Sequence, residues 1–212
     1  MNSLNSIIDH TILKPDATKK DIERICAEAK EYNFRGVCVN PIWVELVSSL
    51  LKDTDIKTVS VCDFPLGSSW TEIRKEEAKK AIDSGANEVD VVMNLGKFLD
   101  KNFDEVLNDL KEIVSTVQPE GFLKVIIEAP LLSDEDIKKA SELVTKSGAN
   151  IIKSGTGTKG GVTIHQIEVI KKATNLPIKA SGGIRDKEYA LSLIKSGVSI
   201  LGTSSGVQIV TG

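Results

Sequence analysis

Residues 150–157 read Asn-Ile-Ile-Lys-Ser-Gly-Thr-Gly, and residues 177–185 read Pro-Ile-Lys-Ala-Ser-Gly-Gly-Ile-Arg. Each is a short apolar run that stops at a lysine, Lys153 and Lys179, and passes at once into small glycine-rich residues. That is the pattern of a buried strand opening into a loop that must approach something closely. Between the two, residues 164–174 carry a helical pattern. Strand, helix, strand with short connections implies parallel pairing through a right-handed crossover, which brings both lysines to the same end of one sheet. Lysine is rarely buried without a partner or a task, so this end of the sheet is the place to look for chemistry.

The same unit recurs along the whole chain. Residues 7–13, 36–39, 56–61, 88–94, 122–128, 150–153, 177–180 and 198–201 read as strands. Helical stretches follow each of them, over 17–33, 42–51, 71–84, 102–117, 133–147, 164–174, 186–196 and, briefly, 204–210. In the first helix Ile22, Ile25, Cys26 and Ala29 recur at spacings of three and four, an amphipathic face. Pro41 lies near the first turn of the second helix, where its missing N–H costs little. Thr71 is expected to cap the third helix, with Arg74, Lys75, Glu76 and Glu77 on its solvated side and Gly85 ending it. Ser133, three residues before Asp136, reads as a capping-box variant. Eight units close a parallel sheet into a single (β/α)8 barrel spanning residues 1–212. The alternative, an open doubly wound sheet, needs a phosphate-binding glycine turn early in the chain, and the glycine-rich turns here come late.

With 41% hydrophobic residues in 212, the chain has enough apolar material for a sizeable core. A net charge of −3 and a pI near 5.6 argue against a nucleic-acid partner, whose binders carry a basic face. No apolar window approaches the length of a membrane span, and the N-terminus lacks a basic region followed by an apolar run, so neither membrane insertion nor export is expected. Cys26, Cys38 and Cys62 cannot all pair and lack CxxC spacing, which fits a reducing cytoplasm. His10 and His165 are the only histidines and show no metal-ligand spacing, so no metal is expected.

In a (β/α)8 barrel the C-terminal strand ends face the active site. Here those positions hold Asp9, Asn40, Asp63, Asp90, Asn94, Glu128, Lys153 and Lys179. Asp63 and Glu128 are read as structural. The two lysines, placed before glycine turns rather than on helix surfaces, are read as chemical, with a Schiff base the natural task for one of them. A lysine of ordinary pKa is protonated at neutral pH and cannot attack a carbonyl. A second ammonium about 5 Å away, at an effective dielectric of about 20, would repel it by about 3 kcal/mol and free a useful fraction of amine. Gly182-Gly183 and Gly202 to Gly206, including Ser204 and Ser205, open toward the last two helices, where barrels often hold phosphate. Gly155-Thr156-Gly157 is expected to supply another wall.

At these residues the chain resembles the deoxyribose-phosphate aldolases. The matching signatures are residues 8–15, 38–41, 64–67, 88–90, 124–128, 179–185 and 202–206, in order from Ile8 almost to the C-terminus. The resemblance implies reversible cleavage of 2-deoxy-D-ribose 5-phosphate into acetaldehyde and D-glyceraldehyde 3-phosphate, with no metal or organic cofactor. It further implies a homo-oligomer, dimer or higher, whose partner is the small sugar phosphate. Lys153 matches the Schiff-base lysine, Lys179 the lysine that lowers its pKa, Asp90 the aspartate that shuttles protons through water, and Asp9 a further polar member of the site. Ser154-Gly155 and Ala129-Pro130 depart from the family pattern beside the lysine. The same chemistry on a different phosphorylated aldehyde, and a sugar-phosphate-binding barrel without turnover, are the alternatives.

Overall fold

The computed structural model describes residues 4–212; residues 1–3, included in the expected barrel domain, lie outside the described residues. Eight strands run β1 (Ile8–Ile12), β2 (Gly36–Val39), β3 (Lys57–Cys62), β4 (Glu88–Val92), β5 (Phe122–Ile126), β6 (Ile151–Lys153), β7 (Ile178–Ser181) and β8 (Ile200–Thr203). They pair in sequence order, all parallel, and β8 returns to β1, so the sheet is closed. The helices are α1 (Lys19–Glu31), α2 (Val44–Leu51), α3 (Thr71–Asp83), α4 (Leu95–Leu99), α5 (Phe103–Val117), α6 (Asp134–Ser147), α7 (Ile164–Ala173), α8 (Lys187–Ser196) and α9 (Gly206–Thr211).

Local sequence explains several of the helix ends. The Thr18 side chain accepts from the Asp21 N–H while Asp21 returns a bond to the Thr18 backbone, and Thr163 with Gln166 does the same for α7, each a reciprocal capping box. Ser133 accepts from the Asp136 N–H at the start of α6, and Gly148 closes that helix at φ +84°, a left-handed conformation that suits glycine.

Alternation along each strand divides the buried residues into two environments. Outward-facing Ile8, Val37, Val91, Val125, Ile152 and Ala180 join the helix faces in one large apolar cluster. Inside the barrel a separate small cluster, Cys38, Val59 and Val61 with Leu13 and Phe64 packed on it, occupies the side of β2 and β3. The rest of the interior mixes apolar Val92, Ile126, Ile151 and Ile200 with a cluster of buried charges.

Three local expectations are corrected. Trp70, not Thr71, is the N-cap of α3, and Thr71 instead donates to Asp109 at 2.8 Å. Arg74 is fully buried rather than solvated; its guanidinium meets Asp109 and the Val92 carbonyl and lies 3.2 Å from Asp63. Alone in sequence it reads as one more charge in a charged run, whereas the packing of α3 against α5 encloses it between two acids. The third concerns residues 93–102, where a short helix, α4, intervenes before α5, capped by the Asn94 side chain on the Lys97 N–H.

Candidate active site

The strands bring the four expected residues into one hydrogen-bonded chain. Lys153 and Lys179 are register partners on adjacent strands, and each Nζ donates to the same oxygen, Asp90 Oδ2, at 2.8 Å. Their separation is therefore at most twice that distance. Lys179 Nζ also reaches Asp9 Oδ2 at 2.6 Å. Asp9, Asp90 and Lys179 are wholly buried, and Lys153 is nearly so.

Three further members were passed over in sequence. Lys124 Nζ donates to the other oxygen of Asp90 at 2.7 Å and pairs with Glu88 at 2.5 Å. Arg35 bridges Asp9, at 2.7 Å, to Glu88. Asp9 and Asp90, expected at C-terminal strand ends, lie instead at the second position of β1 and the middle of β4; Lys124 is the register partner of Asp90 on β5, while Glu88 opens β4 and Arg35 precedes β2. The available signal was a lysine inside the apolar run Phe-Leu-Lys-Val-Ile-Ile.

Ionisation in this cluster is set by mutual pairing. Burial opposes charge on Asp9, but Lys179, Arg35 and Lys124 outweigh it and lower the carboxyl to about 2. Asp90 is likewise penalised by burial, yet Lys124, Lys153 and Lys179 hold it well below the carboxylate range. For Lys179 burial again works against the charged form, and Asp9 and Asp90 overcome it, raising the ammonium above the ordinary lysine range. The simple picture of one ammonium repelling another therefore needs revision, since Asp90 lies between them and attracts both.

Above the cluster lies a cleft of about 350 Å³ lined by Lys153, Thr156, Gly157, Gly182, Gly183, Gly202 and Ser204. Thr11, Lys14, Phe64 and Arg185 are among the other residues that line it. Lys179 is buried beneath it and does not line it. Ser205 does not line it either; its backbone N–H donates to Thr203 Oγ1 at 2.9 Å. Gly182 and Gly183 do not form the N-terminus of α8, which begins at Lys187 with its first turn capped by Asp186, whereas Gly206 does open α9 after Ser205. Gly182 and Gly183 both adopt positive φ, +98° and +74°, a turn that brings backbone against Gly157, whose Cα lies 3.1 Å from where a Gly182 Cβ would sit.

The loop after Lys153 is fixed by Glu128, whose carboxylate accepts from the Thr156 N–H at 3.0 Å and its hydroxyl at 2.6 Å. A Cβ at Gly155 would lie 2.8 Å from Glu128 Oε1 and 3.4 Å from Pro130 Cδ. The two departures from the family pattern thus face each other. The histidines are committed elsewhere: His10 to Glu28 at 2.7 Å and exposed His165 to Asp134 at 2.8 Å.

Fold and site together define a parallel-barrel enzyme that presents a buried, carboxylate-linked lysine to a small cleft. The chain belongs to the DeoC/LacD family of aldolases, which it matches over residues 4–209. It is 46% identical to a deoxyribose-phosphate aldolase of Natranaerobius thermophilus, over 99% of this chain and 97% of that one. Among solved structures it superposes with a TM-score of 0.94 on "QR15, an Aldolase", 40% identical, covering 99% of this chain and 95% of that one. A tetrameric deoxyribose phosphate aldolase from Aeropyrum pernix gives 0.91 at 32% identity, covering 97% and 88%.

Proposed function

We propose that this chain, acting as one barrel domain over residues 1–212, is a class I aldolase that reversibly cleaves 2-deoxy-D-ribose 5-phosphate into acetaldehyde and D-glyceraldehyde 3-phosphate, with no metal or organic cofactor. The observation that carries the reading is Lys153: an amine at a strand end that lines the cleft while bonded to an aspartate shared with Lys179.

The free amine of Lys153 attacks the aldehyde carbon of the open-chain sugar, and loss of water leaves a protonated imine. That imine is an electron sink for the neighbouring carbon. When the hydroxyl on the third carbon gives up its proton, through water to Asp90, the bond between the second and third carbons breaks. Its electron pair forms an enamine, and the third carbon leaves as the aldehyde of glyceraldehyde 3-phosphate. Protonation of the enamine and hydrolysis of the imine release acetaldehyde and restore Lys153. Lys179, itself held by Asp9, helps keep Asp90 in its ionised form and orientation.

The phosphate belongs at the Gly182-Gly183, Gly202 and Ser204 side of the cleft, with Thr156 and Gly157 adjoining it. Lys14 and Arg185, both lining the cleft, favour a dianion there. A homo-oligomer, dimer or higher, is part of the same proposal, supported by the tetramer described for the Aeropyrum pernix relative. So is a cytoplasmic setting, supported by three buried, unpaired cysteines; among the described residues no helix is long and apolar enough to cross a membrane.

Borohydride added with deoxyribose 5-phosphate, followed by peptide mass spectrometry, tests the reading. One reduced adduct on Lys153, absent from Lys153→Ala, is expected. An adduct on Lys179, or none, refutes it.

A further inference from the structure

The buried cluster contains Arg35, Lys124, Lys153 and Lys179 against Asp9, Glu88 and Asp90. Fully ionised, it holds one positive charge too many. Losing a single proton makes it neutral, and the member best placed to lose it is the one with the fewest carboxylate contacts. Lys179 touches two carboxylates, Lys124 two and Arg35 two, whereas Lys153 touches only Asp90, through an oxygen it shares. Lys153 is also the one cation of the four that lines the cleft.

We propose that Lys124 is a positioning residue for Lys153: by pairing with Asp90 Oδ1 and Glu88 it fixes Asp90 with its second oxygen toward the two strand-end lysines and supplies the excess charge that drives a proton off Lys153. Its side chain is wholly buried and lines no part of the cleft, so its influence passes through Asp90. Glu88 and Arg35 complete the count from the opposite end of the barrel. This rests on Lys153 being the amine nucleophile of the proposed function.

The other groups around Lys153 do not change the balance within the cluster. Cys38, on β2, is a buried thiol whose pKa burial pushes up, so it stays neutral. Phe64 offers its ring, with the centroid 5.9 Å from Lys153 Nζ. Glu128, beyond the end of β5, is bonded to Thr156. Lys14 and Arg185 face the cleft from β1 and β7 loops and are common to every variant below.

The signs of two substitutions are opposite. Lys124→Met removes a positive charge, stabilises protonated Lys153 and moves its deprotonation to higher pH. Glu88→Gln removes a negative charge and moves it to lower pH. At an effective dielectric of about 20 and the few-ångström separations that one intervening carboxylate allows, the first shift is about one pH unit or more; the second is smaller because Glu88 is further away. The double variant restores the original charge count, and since it removes both partners of a pair it leaves no buried charge alone.

Competitive trace acetylation of the intact protein, with a free amine as internal standard and the Lys153 peptide read by mass spectrometry from pH 5 to 11, measures that deprotonation without turnover. The expected result is an upward midpoint shift in Lys124→Met, a downward one in Glu88→Gln, and a return to within about half a unit in the double variant. The pH profile of kcat/KM should move in parallel. An unmoved midpoint in Glu88→Gln overturns the proposal even if Lys124→Met does not fold, and so do two shifts of the same sign. Borohydride trapping on the same wild-type sample separates the failures: an adduct on Lys153 with unmoved midpoints defeats only the charge count, while no adduct defeats the nucleophile assignment itself.

Discussion

Asp90 has both carboxylate oxygens bonded to lysines, Oδ1 to Lys124 and Oδ2 to Lys153 and Lys179. A substitution at any of the three lysines is therefore felt by the other two. Lys179→Met leaves Asp9 and Asp90 each with one cation fewer and takes one positive charge from the cluster, so Lys153 keeps its proton to higher pH. The kcat/KM at pH 7 should fall at least about tenfold and recover in part as pH rises; a wild-type-to-variant ratio that stays constant from pH 6 to 10 would show that Lys179 acts through shape alone. Lys153, Lys179, Asp90 and Asp9 were legible as a group because all were read as strand-end positions and all match site residues of the aldolase family. Lys124, Glu88 and Arg35 were not, since a sequence shows which residues face inward but not how far a long side chain reaches along the axis. Ser205 misled for the reverse reason: a serine beside glycines looks available to a ligand until Thr203 is seen to take its N–H.

At the scale of elements, periodicity found all eight strands and the helix after each, because apolar spacing records which face is covered. What it missed depended on neighbours distant in sequence. Arg74 is the clearest case, a cation in a charged heptapeptide that ends wholly buried between α3 and α5. Arg74→Met should destabilise the protein by about 3–5 kcal/mol, because Asp109 loses its charged partner in a buried place and the Val92 carbonyl loses a donor. For a chain of this size that lowers Tm on the order of 10 °C. Scanning calorimetry would measure it, and a change under 2 °C would mean that Thr71 alone satisfies Asp109. The short helix α4 was hidden by its own brevity, since one turn and a half gives no period to count.

For the molecule as a whole, the charged barrel interior ties stability to pH at both ends. Asp9, Glu88 and Asp90 have carboxyls lowered in the folded state, so their contribution is complete above the unfolded value and disappears as pH falls through the folded one. For Asp9 alone, between about pH 4 and pH 2, this is about 2 kcal/mol. Lys179 is raised, so its contribution is complete below the unfolded lysine value and declines as pH climbs beyond it. The urea midpoint should be level from pH 5 to 9 and drop steeply below pH 4; equal midpoints at pH 6 and pH 3 would mean the carboxylates are not ionised in the native barrel. This charged interior also has a steric side. A methyl group at Gly36 would stand 2.9 Å from Asp9 Oδ1, and one at Gly202 would stand 3.0 Å from Lys179 Cε. The two strand glycines are the space into which the charges fit, so each charge is sterically coupled to the glycine facing it. Removing the charge opposite would relieve only part of the crowding, since a methyl at Gly36 would still stand 3.0 Å from the Lys57 carbonyl oxygen and one at Gly202 3.2 Å from Ser181 Cβ, so the charges and the adjoining strands together make the barrel interior intolerant of any side chain at either position.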